Sequence, residues 1–275
     1  MAVSPAHRWG QVIGRVLEAA VLPLLEAFAA THRLYLDRKG GRPCRNGSKC
    51  IWVDTPGNAH DLDFVLERGG TPNEFGTPVA FIEAAWRRYT KHSRNKAQEI
   101  QGAILPLAET YQRAAPFKGA ILAGVFTDGA LTQMGSLGFT ILYFPYNMVV
   151  GAFKRFGIDA SSEEDTPDAE FRKKLKQYVR LSEQQKRELA GELIRLNDSQ
   201  VREFINALTV AVSRKIRSVI VLPLHGQSEE MSTLDQAIAF IERYDDQNGQ
   251  KPIQRYEIQI RYSNGDSIEV DFSHF

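Results

Sequence analysis

Two carboxylates twenty residues apart, Asp63 and Glu83, stand at the ends of short apolar runs. Asp63 lies in Asp61-Leu62-Asp63-Phe64-Val65-Leu66-Glu67, just ahead of a hydrophobic stretch, and Glu83 closes Pro78-Val79-Ala80-Phe81-Ile82-Glu83. Runs of this length and composition predict strands, so the chain can bring both acids to the ends of neighbouring strands. Paired oxygen donors suit a hard divalent cation such as Mg2+, which keeps several waters and is usually held by one or two protein carboxylates plus substrate phosphate. Asp61 shares a face with Asp63 and is an alternative or supporting ligand. A cation-rich segment, Arg87 to Lys96, follows directly.

The order is an acidic residue on one strand, a Gly-rich turn through Arg68-Gly69-Gly70, a hydrophobic strand ending in Glu83, then a helix. It resembles the PD-(D/E)XK nuclease superfamily. That resemblance implies a restriction-endonuclease-like core and Mg2+-assisted hydrolysis of double-stranded DNA, with Asp63 and Glu83 as catalytic metal ligands. One position departs from the pattern: Ala85 stands where the superfamily has its lysine. Two residues after Glu83 on a strand is the same face, and a cation there would stabilise charge developing in the transition state. Three readings follow. Lys91 or Lys96 reaches back from the helix, or the chain is a natural non-cutting relative, or Ala85 is an engineered substitution that disarms the enzyme. The retained border Trp86-Arg87-Arg88-Tyr89-Thr90-Lys91-His92 favours the engineered substitution.

A formal net charge of +1 does not by itself point to nucleic acid, so the distribution of charge must carry that argument. Residues 38–50 and 87–96 contain five cations each and no acid. Both runs read as phosphate-facing surfaces, with Arg42, Arg45, Lys49, Arg87, Arg88, Lys91, Arg94 and Lys96 as the candidate DNA contacts. Cys44 and Cys50 lack metal-ligand spacing and read as free reduced thiols. The sequence has no phosphate-binding G-x-x-x-x-G-K-[ST] loop, no G-x-S-x-G elbow and no H-E-x-x-H pair. His92 and His225 are minor candidates for substrate contact. The N-terminal residues lack a secretory pattern and the apolar stretches fall short of membrane-spanning length, so no membrane partner and a cytoplasmic location are expected.

The elements that must position these residues can be read from periodicity. Ser4-Pro5 opens a helix to about Ala30, kinked at Pro23, on which Glu18 and Glu26 read as surface residues. Some members of the resembled superfamily bring a glutamate from an early helix towards the metal. Strands follow at 51–54, 61–67 and 78–84, then a helix over 93–112 on which Lys96 can point at the site end. Further strands are read at 117–126, 139–144 and 218–224. A hairpin built on Asn264-Gly265 closes the chain. The acidic stretch Ser161 to Asp168 opens three helical patterns, the second begun by the capping box Ser182-x-x-Gln185. The expectation is an α/β fold with a mixed central sheet flanked by helices. Residues 1–158 form the nuclease core, 159–214 a helical insert, and 215–275 the return to the core with the C-terminal β-hairpin. The implied function is that of a sequence-specific type II restriction enzyme acting as a homodimer. A repair or defence nuclease with structural specificity, or a non-catalytic DNA-binding protein, is the alternative.

Overall fold

The structure is a computed structural model and describes residues 4–223, 228–244 and 256–272, without the side chains of residues 90–93, 256 and 272. The chain forms two compact units, Met1–Leu208 and Thr209–Phe275. The first is an α/β unit around a five-stranded mixed sheet.

Helix α1 (Pro5–His32) starts where the Ser4 hydroxyl accepts the His7 N–H, with proline in the first turn, and ends at Arg33 in the left-handed region. The helix is continuous through Pro23. Its buried stripe, Trp9, Val12, Ile13, Val16, Leu17, Ala20, Val21 and Leu25, follows the spacing of one helix face. That face packs on the sheet strands β1 (Leu34–Arg38) and β5 (Thr77–Arg87).

The sheet order is β1-β4-β5-β6-β7, with β4 at Phe64–Arg68, β6 at Phe117–Gly124 and β7 at Phe139–Pro145. Strands β1, β4 and β5 pair antiparallel, while β5, β6 and β7 pair parallel. The parallel half needs crossovers, supplied by α2 (Thr90–Thr110) and α3 (Asp128–Ser136). A parallel strand covered on both faces reads as a continuous apolar run, and seven of the eight residues of β6 are buried.

The expected single strand at 61–67 is two strands. Residues Ala59–Leu62 form β3, which pairs with β2 (Cys50–Val53) in a separate ribbon, and the chain bends at Asp63 before β4 begins. Helices α5 (Asp168–Val179), α6 (Glu183–Leu196) and α7 (Asp198–Val212) follow α4 (Tyr146–Lys154), and the Ser182–Gln185 capping box forms in full. Helices α5 and α6 lie against α1 and belong to the first unit up to Leu208. Arg88 Nε and Nη2 and the Lys174 Nζ hold the acidic loop before α5 by the carbonyls of Ser162 and Ser161.

In the second unit, β8 (Ile216–Pro223) does not extend the five-stranded sheet. It joins β9 (Glu229–Met231), β10 (Tyr256–Tyr262) and β11 (Ser267–Phe272) in the order β11-β10-β8-β9. The reason is pairing chemistry. Ile258 and Ile260 lie opposite Val221 and Val219, and with Ala237 of α8 (Leu234–Arg243) these residues make a small core of their own. The β10–β11 hairpin turns at Gly265 with φ +93°, as Asn-Gly turns require. Among the described residues no helix is long and apolar enough to cross a membrane.

Candidate active site

The site is built where β4 and β5 part. Their ladder pairs Val65 with Phe81 and Phe64 with Ile82, and it ends there, where the chain bends at Asp63. Side chains replace the missing ladder bonds. The Asp63 N–H donates to Glu83 Oε1 at 3.1 Å, and the Ala84 N–H donates to Asp63 Oδ2 at 2.8 Å. Alternation along the paired strands puts Asp63, Val65, Phe81, Glu83 and Ala85 on one face, so the sheet brings the two predicted carboxylates together.

Burial decides their electrostatics. Glu83 is 7% exposed. Loss of water, with the Asp63 carboxylate next, pushes its carboxyl up to about 8 against the pull of Lys96. Asp63 is also raised by burial, opposed by the Ala84 N–H and by Lys96, with Asp61 adding repulsion. A buried Glu83 raised by its neighbour Asp63, itself raised by burial, describes a site short of positive charge. No group of three or more histidine, cysteine, aspartate or glutamate side chains with metal-binding geometry occurs among the described residues. A donor set of two carboxylates fits a cation that keeps much of its water, as Mg2+ does.

Lys96, on the second turn of α2, is the cation whose field reaches both acids. Its side chain is 20% exposed and its Nζ lies 3.4 Å from Glu99 Oε2. Ala85 shares the face of Glu83 but is 4% exposed, inside an apolar cluster with Phe81, Ala97, Ile100 and Leu122. Ala97 adjoins Lys96 in the chain, so the helix that covers Ala85 also carries the cation.

Two residues near the site were not legible as such. Glu18, read as a surface residue, is half-buried on α1, and its carboxyl is raised by burial and by Asp63, with Lys39 and Arg15 opposing. Lys39 follows β1, whose ladder with β4 ends at the pair Arg38–Phe64, and its charge acts on Asp63. Glu26, by contrast, is on the surface, 53% exposed.

The two basic runs divide. Arg42 and Arg45 cannot be phosphate contacts as expected, because their side chains are 2% and 5% exposed and already committed. Arg42 meets Glu67 at 2.5 Å and Asp37 at 3.0 Å and donates to the carbonyls of Thr71 and Glu74. Arg45 meets Asp37 at 2.5 Å. An isolated buried charge would be prohibitive, so these cations and acids form a structural cluster. Arg88 is likewise engaged, with Ser162, with Glu163 at 3.1 Å and over the Tyr146 ring. Arg87 donates to the Trp86 carbonyl and lies 3.8 Å from Glu99. Lys49 is exposed, 3.0 Å from Asp61, and Arg94 is exposed. The side chains of Lys91 and His92, and His225 altogether, lie outside the described residues. Both thiols are free, and burial pushes that of Cys50 up.

No protein-family model matches the chain, and no curated protein matches it. A solved structure titled as that of a protein of unknown function, AF1548, aligns with 72% of this chain and 97% of its own, at 9% identity and a TM-score of 0.29.

Proposed function

We propose that this chain is a metal-dependent endonuclease of the PD-(D/E)XK kind that hydrolyses phosphodiester bonds in double-stranded DNA. The observation that carries the reading is the reciprocal locking of Asp63 and Glu83 on one face of the sheet, under the field of Lys96. Asp63 and Glu83 would hold Mg2+. When bound, the ion supplies a water of lowered pKa and neutralises phosphate charge. Glu83 stays in place because the Asp63 N–H holds one of its oxygens, and Asp63 because the Ala84 N–H holds one of its own.

Lys96 takes the part that the resembled superfamily gives to the lysine two residues after the glutamate. Its ammonium offsets charge gathering on the phosphoryl oxygens as the attacking bond forms and the leaving bond breaks. Ala85 then serves as the small residue that lets α2 approach β5, and no engineered substitution is needed to account for it. Sequence-specific cutting by a two-fold dimer is the finer reading, since symmetric sites call for symmetric enzymes.

Plasmid DNA incubated with the chain and Mg2+, with EDTA as control, tests the proposal. Discrete fragments support a restriction enzyme, and a smear supports a nuclease of structural specificity. Binding without cutting, in this chain and in Ala85→Lys alike, leaves a non-catalytic DNA-binding protein and overturns the enzymatic reading.

A further inference from the structure

The first basic run turns two of its cations, Arg42 and Arg45, inward and leaves Arg38, Lys39 and Lys49 outward. Arg38, 48% exposed, ends the edge strand β1 and the exposed Lys39 follows it, and beside them a recess of about 480 Å3 separates β1 from the last turns of α1. Glu26 and Ala30 form one wall, and Arg38, Lys39, Gly40 and Gly41 the other. A Cβ built on either glycine meets no atom within 4 Å, so the space above them is open. Arg38 is held only loosely, at 3.9 Å from Glu26 across the recess. Arg42, tied to Glu67, Asp37 and two carbonyls, fixes the loop beneath.

The β1–β4 ladder ends where Arg38 pairs with Phe64, and just beyond that end the charge of Lys39 acts on Asp63, which ties the recess to the acids. A strand that brings its scissile phosphate to two carboxylates is repelled by them, and a nearby cation pair offsets that repulsion for the next phosphate along. Cavities that take small ligands run from roughly 300 to 1,000 Å3, so one nucleotide unit fits. Resting on the DNA reading above, we propose that the recess seats the phosphate neighbouring the scissile one, with Arg38 and Lys39 as its cations. Inorganic phosphate shares that chemistry, and the test separates the two sources.

The full chain is titrated, by fluorescence anisotropy, into a labelled duplex with Ca2+ in place of Mg2+ so that binding is read without cleavage. Three variants accompany it: Arg38→Ala/Lys39→Ala, Glu26→Gln and Gly41→Leu. The double variant should bind at least roughly tenfold more weakly with a salt slope shallower by about two, one for each phosphate-facing cation. Glu26→Gln should tighten binding by freeing Arg38, and Gly41→Leu should weaken it by filling the recess without changing charge. A double variant and a Gly41→Leu chain that both bind as the unaltered chain does overturn the subsite while leaving the DNA reading intact. An unaltered chain that binds no duplex overturns the DNA reading, and the subsite with it. Millimolar inorganic phosphate should compete with duplex for the unaltered chain and lose that effect in the double variant. Should it occupy the recess without weakening duplex binding, the recess is a small-anion site and the strand assignment is wrong.

Discussion

Asp63 and Glu83 each hold the backbone beside the other: Glu83 Oε1 accepts the Asp63 N–H at 3.1 Å, and Asp63 Oδ2 accepts the Ala84 N–H at 2.8 Å. One oxygen of each carboxylate is therefore used in closing the sheet where β4 and β5 diverge. The same bonds that end the ladder orient the proposed ligands. Replacing either acid by its amide keeps the shape and removes a charge. Asp63→Asn and Glu83→Gln should each lose at least about a hundredfold in single-turnover cleavage, in line with the loss of one element of transition-state stabilisation. Isothermal titration with Mn2+ should show the loss of metal binding in step. A variant that cuts at the original rate would remove its residue from the site.

Glu83 also sets an expected pH dependence for the metal-free protein. Its carboxyl titrates near 8 when folded against an ordinary 4.5, chiefly because burial penalises its charge and Asp63 adds to the penalty. Between those values the folded chain keeps a proton that the unfolded chain has released. Stability therefore falls as pH rises through that window. Thermal melts in EDTA from pH 5 to pH 8 should show a declining Tm, with Glu83→Gln flattening the decline. Mg2+ should raise Tm most at the upper end, where protons no longer compete for the carboxylates. A metal-free Tm that climbs across the range contradicts the raised, buried Glu83.

Lys96 and Ala85 make opposite predictions for one cation. If Lys96 supplies it, Lys96→Ala should lower single-turnover cleavage roughly a hundredfold while duplex affinity in Ca2+ falls only modestly. Ala85→Lys should then gain no rate and should melt earlier, because it forces an ammonium into the apolar cluster of Phe81, Ala97, Ile100 and Leu122. A large gain in cleavage from Ala85→Lys would return the role to position 85 and make the alanine a disabling substitution.

Arg42 and Arg94 separate structure from contact. Arg42→Ala should destabilise the fold by about 3–5 kcal/mol in urea, the cost of leaving a buried acid partner uncompensated, since Glu67 is 0% exposed. Arg94→Ala should leave stability within about 0.5 kcal/mol and make the salt slope of duplex binding shallower by about one. Equal stability for the two variants would contradict the buried cluster.

Local rules carried far along this chain. The Ser4 cap, the Ser182 capping box, the Asn264-Gly265 turn and the apolar runs of β5, β6 and β7 are all written in neighbouring residues, because caps, turns and strand alternation depend on atoms a few positions apart. The apolar runs beside Asp63 and Glu83 were legible for the same reason, but Glu83 does not end its strand: β5 runs on to Arg87 because its far half pairs with β6. Tertiary structure decided the rest. Runs 38–50 and 87–96 hold no acid, yet Asp37 and Glu67 bury Arg42, Asp37 also takes Arg45, and Glu163, with the loop before α5, takes up Arg88. A cation's availability depends on partners brought from elsewhere in the chain, and a window of sequence cannot show them. Glu18 and Lys39 reach the site by the same route, since α1 folds back over the sheet and β1 ends beside the strand that begins just after Asp63. The division of the strands into three sheets also escaped local reading. A strand's alternation fixes which side chains share a face, while its neighbour is set by which other strand offers a matching apolar face, and for β8 that strand is β10.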